Sequence, residues 1–348
     1  MLSKKDTLFI KGLSILLLVY HHNRYDISGL SPLRSGLRIV VWIFLFITAY
    51  GFSLQLEASQ NKHPVKFVIK RLILIYVPLW ICYIIDLIII LCFNPNIVIA
   101  FFTGSPVNWL AELFCVSQYT RTPSIFNTLL SGWYINMLIL IIVAFPLIYF
   151  VVSKLKWGSI LLVLAITWFF KWKICYEYGG YLDEYLLIVV IAILFCKYKC
   201  FERLPKADNR WRIPLIAMSV LLSAVLLCVR HEYIPYVSQN AFLRFDPLST
   251  FMALAIISAV YVFRRDDKLS LVFEKLGGYS ANIFFIHSVF YNVVIPALDI
   301  NDPFLTFFMC FSLSLLLSAG IEFVKNKTDF NRKLRTGTDK LLRTDGSR

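Results

Sequence analysis

Apolar residues in this chain gather into long runs, and polar residues collect between them. Ten such runs lie near Leu8–His22, Leu37–Leu54, Phe67–Phe93, Leu129–Val152, Trp157–Phe170, Tyr185–Cys196, Ile213–Val229, Leu248–Phe263, Tyr279–Leu298 and Phe304–Val324. Several approach the roughly 20 residues that a helix needs to cross a bilayer. The pattern predicts an all-α integral membrane protein with about ten transmembrane helices. The sixth run is short and has Asp183 and Glu184 at its entrance, so its register is the least defined. Composition agrees with the pattern: 59% of the 348 residues are hydrophobic and 16% are charged, against about 25% charged in a soluble domain.

The chain carries 35 Lys and Arg against 21 Asp and Glu, a net charge of +14. With the N-terminus inside, most of these cations fall on one side. They are Lys4, Lys5 and Lys11, the residues from Lys62 to Arg71, Lys154 and Lys156, Lys197 to Arg212, Arg264 to Lys275, and Lys325 to Arg348. The positive-inside rule then predicts a multi-pass protein of the cell membrane with both termini cytoplasmic. Basic inner loops attract anionic headgroups, so the expected partner of this charge is the lipid bilayer and not nucleic acid. The first run lacks a small-residue cleavage site and reads as a retained span. The division expected is a membrane domain over 1–325 and a short basic cytoplasmic tail over 326–348, with the longest outer loop from Asn94 to Thr128. The eight cysteines are scattered without zinc-site spacing. No phosphate loop, nucleophile elbow or dinucleotide fingerprint is present, and no internal repeat suggests an inverted-repeat transporter.

Candidate chemistry is confined to polar residues in or beside the spans. His21 and His22 end the first run, roughly 15–17 Å along a helix from Lys11. Ionisable groups at that depth are costly and mark functional sites by default. Lys70 and Arg71 open the third run. Such a pair ordinarily snorkels to the interface; its functional reading is an anion clamp for a phosphorylated donor, which guanidinium grips bidentately. Asp86 lies fifteen residues beyond Arg71 on the same helix, placed either to pair with a buried cation or His or to sit near the outer interface. Trp133 and Tyr134 stand at the entrance of the fourth run, where an interfacial belt is the ordinary role. In the ninth, Ser280 and His287 are seven apart and share one helix face. A packed, hydrogen-bonded histidine is the ordinary reading there, weakened by the deep histidines of another span, His21 and His22.

The order Lys11-Gly12-Leu-Ser-Ile-Leu-Leu-Leu-Val-Tyr-His21-His22 resembles the opening of the acyltransferase 3 family, polytopic enzymes that acylate cell-surface glycans and related molecules. That family shows a basic residue, Gly, a small residue and a His eleven positions after the basic one, as from Lys11 to His22. Phe46-Ile-Thr-Ala-Tyr50-Gly51-Phe52 is similar to its second span. Lys70-Arg71 with Tyr76 and Pro78 resembles its basic pair before Tyr-Pro, and Trp133-Tyr134 with Pro146 its Trp-aromatic span. Leu276-Gly277 through Ser280 to His287 resembles its Leu-Gly-x-x-Ser-x-x-Ile-x-x-x-His signature. Two departures stand out: Leu8 occupies the place of an acidic residue, and Lys11 stands where many relatives carry Arg. Gram-positive-type members with Lys-Gly and His-His show the nearest pattern.

The resemblance implies transfer of an acyl group, commonly acetyl from acetyl-CoA, to a hydroxyl of a glycan or lipid-linked glycan, with no permanently bound cofactor and no metal. It implies His22 as the general base, His21 as a neighbour that orients or packs, and Lys11, Lys70 and Arg71 as contacts to the donor's phosphates or thioester region. His287, Ser280, Trp133, Tyr134 and Asp86 are further candidates. The competing class is a transporter, flippase or polymerase of lipid-linked oligosaccharide, in which deep histidines relay protons.

Overall fold

The computed structural model describes residues 1–23, 37–58, 63–117, 132–173, 182–204 and 247–342. The expected seventh span, Ile213–Val229, lies outside them. Among the described residues all regular structure is helical. The principal elements are α1 (Lys4–His21), α2 (Val40–Ala58), α3 (Pro64–Phe93), α4 (Pro95–Phe102), α5 (Pro106–Leu113), α6 (Gly132–Leu155), α7 (Gly158–Lys173), α8 (Leu182–Lys197), α9 (Pro247–Phe263), α10 (Lys268–Val289), α11 (Pro303–Lys327) and α12 (Phe330–Leu341). Five segments are long and apolar enough to cross a membrane: Leu37–Ala58, Pro64–Phe93, Tyr134–Leu155, Lys268–Ala297 and Pro303–Lys327. α7, α8 and α9 carry shorter apolar stretches. α1 is 18 residues long and contains Lys4, Lys5, Asp6 and Lys11, which dilute its hydropathy.

The chain divides into two units. The first comprises Met1–His21, Ser28–Gln60 and Leu147–Gly278. Its centre is α2, apolar on every side and buried at Val40, Val41, Trp42, Ile43, Leu45 and Phe46. α2 packs against α8, α1 and α9. An aromatic cluster of Phe46, Tyr50, Phe195 and Phe201 fills the space between them, with ring centroids 5.4–6.0 Å apart. α1 begins with a reciprocal cap: the Ser3 backbone N–H donates to the Asp6 carboxylate at 2.9 Å, and the Asp6 N–H donates to Ser3 Oγ at 3.1 Å. Arg264 Nε donates to the same carboxylate at 2.6 Å, and its Nη1 reaches Glu274 at 2.8 Å. α10 starts at Lys268, well before the expected Tyr279, because residues before Gly278 pack on α1. Phe273 meets the Phe9 ring at 5.1 Å, and Gly277 lies against the backbone of Leu8. Gly12 in turn lies against the carbonyl of Phe273.

The second unit comprises His22–Ile27, Asn61–Pro146 and Tyr279–Arg348. α3 begins with Pro64, whose missing N–H is no loss at a helix start. The segment after Asn94, expected as part of an outer loop, returns along α3 instead. α4 and α5 are eight residues each, and the chain after α5 lies beside the middle of α3. Trp80 Nε1 donates to the Leu113 carbonyl at 2.9 Å, and Tyr76 Oη donates to the Phe114 carbonyl at 2.8 Å. These bonds satisfy backbone groups that an apolar medium would leave without partners. The outer faces of α4 and α5 expose Ile99, Phe102, Val107 and Leu110, a suitable surface for acyl chains. The segment expected as a tail also has structure. α11 runs on to Lys327, Asp329 turns the chain at φ 52°, and α12 packs on α3 with Lys70 paired to Asp339.

A methyl group on Gly12 or Gly277 would collide with a neighbouring carbonyl, whereas Gly278 has open space. Overpacking of this kind costs about 1–3 kcal/mol. Gly12→Ala and Gly277→Ala are therefore expected to lower the thermal midpoint in detergent, and Gly278→Ala to leave it unchanged, as read by fluorescence-detected size exclusion after heating. Burial works against the charged form of Asp6, yet bonds from Ser3 and Arg264 hold its carboxyl below the usual carboxylate range. A group lowered on folding contributes stability that is present above its unfolded value of about 3.9 and lost as pH falls through the folded value. Acidification from about pH 5 to about pH 3 should lower the wild-type midpoint more steeply than that of Asp6→Asn.

Candidate functional site

In the second unit, the residue after α1 meets the end of α10. His22 Nδ1 and His287 Nε2 are 2.7 Å apart, and the two rings lie nearly parallel, at 13° with centroids 5.0 Å apart. His287 is fully buried; its Nδ1 is 2.8 Å from the Phe284 carbonyl and 3.1 Å from that of Ile283. A carbonyl only accepts, so Nδ1 of His287 carries the proton. In the neutral ring Nε2 is then an acceptor, and the bond between the rings requires His22 Nδ1 to donate. The remaining nitrogen, His22 Nε2, is left with the basic lone pair. An oriented imidazole whose second nitrogen is fixed by a partner is the arrangement of a general base. Ser288 Oγ also lies 3.3 Å from His287 Nε2.

Neighbouring elements hold both rings. Asn23 Nδ2 donates to the Pro303 carbonyl at 2.9 Å, which fixes the chain one residue beyond His22. Phe284 and Tyr291 flank His287 at 6.0 and 6.5 Å, and the Tyr134 ring packs on Phe284 at 4.9 Å. Cys310 Sγ donates to the His287 carbonyl at 3.3 Å. A π-helical turn, Phe290–Val294, follows immediately; such turns often accompany functional sites.

About one and a half helical turns before His287, a buried polar triad ties α10 to α11. Lys325 Nζ donates to Asn282 Oδ1 at 2.9 Å and to Glu322 at 3.0 Å, and Asn282 Nδ2 donates to Glu322 at 2.9 Å. Sequence reasoning missed these three residues and Asn23. Lys325 counts there as a loop cation, although its spacing of three from Glu322 at the end of an apolar run signals a paired charge.

The other candidates are distributed more widely. Ser280 is buried on α10, seven residues before His287 and about 10 Å away along the axis, so it is not part of the histidine contact. Lys70 is paired with Asp339, and the Arg71 guanidinium lies 5.6 Å from the centre of the Phe67 ring, within electrostatic reach of Arg335. Asp86 is fully buried on α3. Lys11 and His21 fall in the first unit, both half-buried. The Trp133 side chain lies outside the described residues. Among the described residues no group of His, Cys, Asp and Glu is arranged to hold a metal.

A family model described as an acyltransferase domain, acyltransferase 3, matches residues 9–323. No curated protein and no solved structure matches the chain. The matched range contains both histidines and the Asn282–Glu322 contact. Removing one partner of a buried ion pair leaves the other uncompensated and costs about 3 kcal/mol. Lys325→Met alone should therefore destabilise the detergent-solubilised protein strongly, and Lys325→Met with Glu322→Gln should recover much of the thermal midpoint.

Proposed function

This chain belongs to the acyltransferase 3 family, and we propose that it is a membrane-embedded O-acyltransferase that moves an acyl group, most simply acetyl from acetyl-CoA, to a hydroxyl of a cell-envelope glycan or lipid-linked glycan. The hydrogen bond between His22 and His287 carries this reading. In the proposed topology about ten spans place both termini in the cytoplasm, where the donor is found.

A hydroxyl is a weak nucleophile at neutral pH. His22 Nε2 takes its proton as the oxygen attacks the thioester carbonyl. The new C–O bond forms, the C–S bond breaks, and the proton passes from His22 to the departing thiolate, giving the ester and free CoA. His287 acts through His22: its Nε2 accepts from His22 Nδ1 and keeps the basic nitrogen turned to the substrate. General-base assistance of this kind supplies roughly 10²–10⁴-fold. His21 points about 100° away from His22 if the helical path continues through both, and is assigned to packing.

For the donor, Lys70 and Arg71 are the candidate phosphate contacts, with Lys70 also paired to Asp339. Arg335 lies close enough to Arg71 to add to the same field. A guanidinium grips phosphate bidentately, which suits this role. Lys11 remains a candidate for the thioester region, and Ser280, Tyr134 and Trp133 for the walls around the acyl group.

The test is the ester content of surface polysaccharide, read by NMR before and after mild base, in a deletion strain complemented with variants. His22→Ala should abolish acylation at normal membrane abundance. His287→Ala should reduce it by about 10²-fold or more, and the double variant should be no worse than His22→Ala, because residues acting as a unit are not additive. Near wild-type esterification by His22→Ala would sink the assignment.

A further inference from the structure

α3 buries a narrow stripe of Leu79, Cys82, Tyr83, Asp86 and Ile90. Asp86 is 0% exposed, and neither carboxyl oxygen has a hydrogen-bond partner among the described residues. The buried charged and amide groups nearest the histidine contact are served: His287, Asn282 and Lys325 all have bonded partners, whereas Asp86 is a carboxyl with both oxygens unserved. A buried polar atom left unsatisfied costs about 1–3 kcal/mol, and more if charged. Leucine at this point of an apolar stripe would avoid that cost, so the carboxyl is placed against stability.

Two irregular elements adjoin the same helix. The chain returning after α5 meets α3 one turn before Asp86, where Tyr83 Oη and Cys115 Sγ are 3.6 Å apart. α3 also packs against the π-helical turn that follows His287. Irregular backbone at membrane depth persists where it is buried in protein or borders a polar space. An unpartnered buried carboxyl thus sits on a helix that packs against both a returning segment and the π-turn after the histidine, where a bound ligand would supply the partner the protein does not.

We propose that Asp86 is a substrate-binding residue whose carboxyl accepts a hydrogen bond from a hydroxyl or amide N–H of a bound substrate. This rests on the acyl-transfer reading. A carboxyl repels phosphate, so the nucleotide end of the donor does not belong here. The remaining sources of such a hydrogen-bond donor are the pantetheine amides of acyl-CoA and the sugar hydroxyls of the acceptor.

Full-length wild type, Asp86→Asn and Asp86→Leu are compared by thermal midpoint in detergent, by acetyl-CoA affinity from titration calorimetry, and by glycan ester content in the complemented deletion strain. Asp86→Leu is expected to hold or raise the midpoint while cutting ester content at least about tenfold, the scale of one lost hydrogen bond. Asp86→Asn keeps an accepting oxygen and should stay within about threefold of wild type. A tenfold loss of acetyl-CoA affinity in Asp86→Leu assigns the contact to a pantetheine amide; unchanged affinity assigns it to an acceptor hydroxyl. The proposal is overturned if Asp86→Leu retains ester content within about twofold of wild type, or if ester loss only tracks a fall in midpoint and abundance. Absence of esters from wild-type cells is a different failure, which removes the acyl-transfer reading itself.

Discussion

Two imidazoles bonded to each other, one of them fully buried, leave few choices for their protons. The Phe284 carbonyl takes the first one, and each later position follows: Nδ1 of His287 donates, its Nε2 accepts, and Nδ1 of His22 donates in turn. The only nitrogen this chain of bonds leaves with a lone pair is Nε2 of His22. The surroundings serve this order. Asn23 ties the residue beyond His22 to Pro303, Tyr134 braces Phe284, and Cys310 takes up the His287 carbonyl beside the π-turn. Where these groups are buried, losing any of these contacts leaves a polar group without a partner.

The same requirement shapes the rest of the second unit. The returning segment after α5 keeps its irregular backbone because tyrosine and tryptophan on α3 supply donors to its carbonyls. Lys325 is retained at the end of α11 because Glu322 and Asn282 neutralise and solvate it. Asp86 departs from this rule most expensively, as a buried carboxyl with both oxygens unserved, and departures from local consistency are where function is expected to sit.

Much of this was legible in the chain itself. The apolar runs of α2, α3, α6 and α11 stand out by length and hydropathy, and their helices follow. The Lys11-Gly12 and Leu276-Gly277 motifs were visible only as resemblance, and the structure supplies their physical reason. Each glycine admits the other segment's backbone, Gly12 against Phe273 and Gly277 against Leu8. What stayed hidden depends on pairing between distant residues. Nothing local in the sequence joins His22 to His287, 265 positions away. The early start of α10 was masked by its charged first turns, whose apolar partners lie on α1. The return of the chain along α3 was masked because α4 and α5 are too short and too apolar to read as anything but loop or lipid-facing surface. Asp339, whose pairing with Lys70 ties α12 to α3, sits in a stretch that reads as solvated by composition alone.

The identity of the histidine's partner bears on what chemistry the pair suits. In hydrolytic triads a carboxylate holds the base and stabilises the imidazolium that forms. Here the group bonded to His22 is another imidazole, which accepts that bond in its neutral form. It orients the base without bringing a charge into hydrocarbon, where a carboxylate would itself need compensation. It also stabilises a protonated His22 less. In the proposed role of base, His22 is best matched to a reaction in which the proton is held briefly and a good leaving group accepts it. An acyl thioester meets both conditions: its carbonyl is already activated, and the thiolate that leaves takes the proton back. For the proposed transfer, a neutral partner and an activated donor therefore belong together, and the membrane interior is the reason.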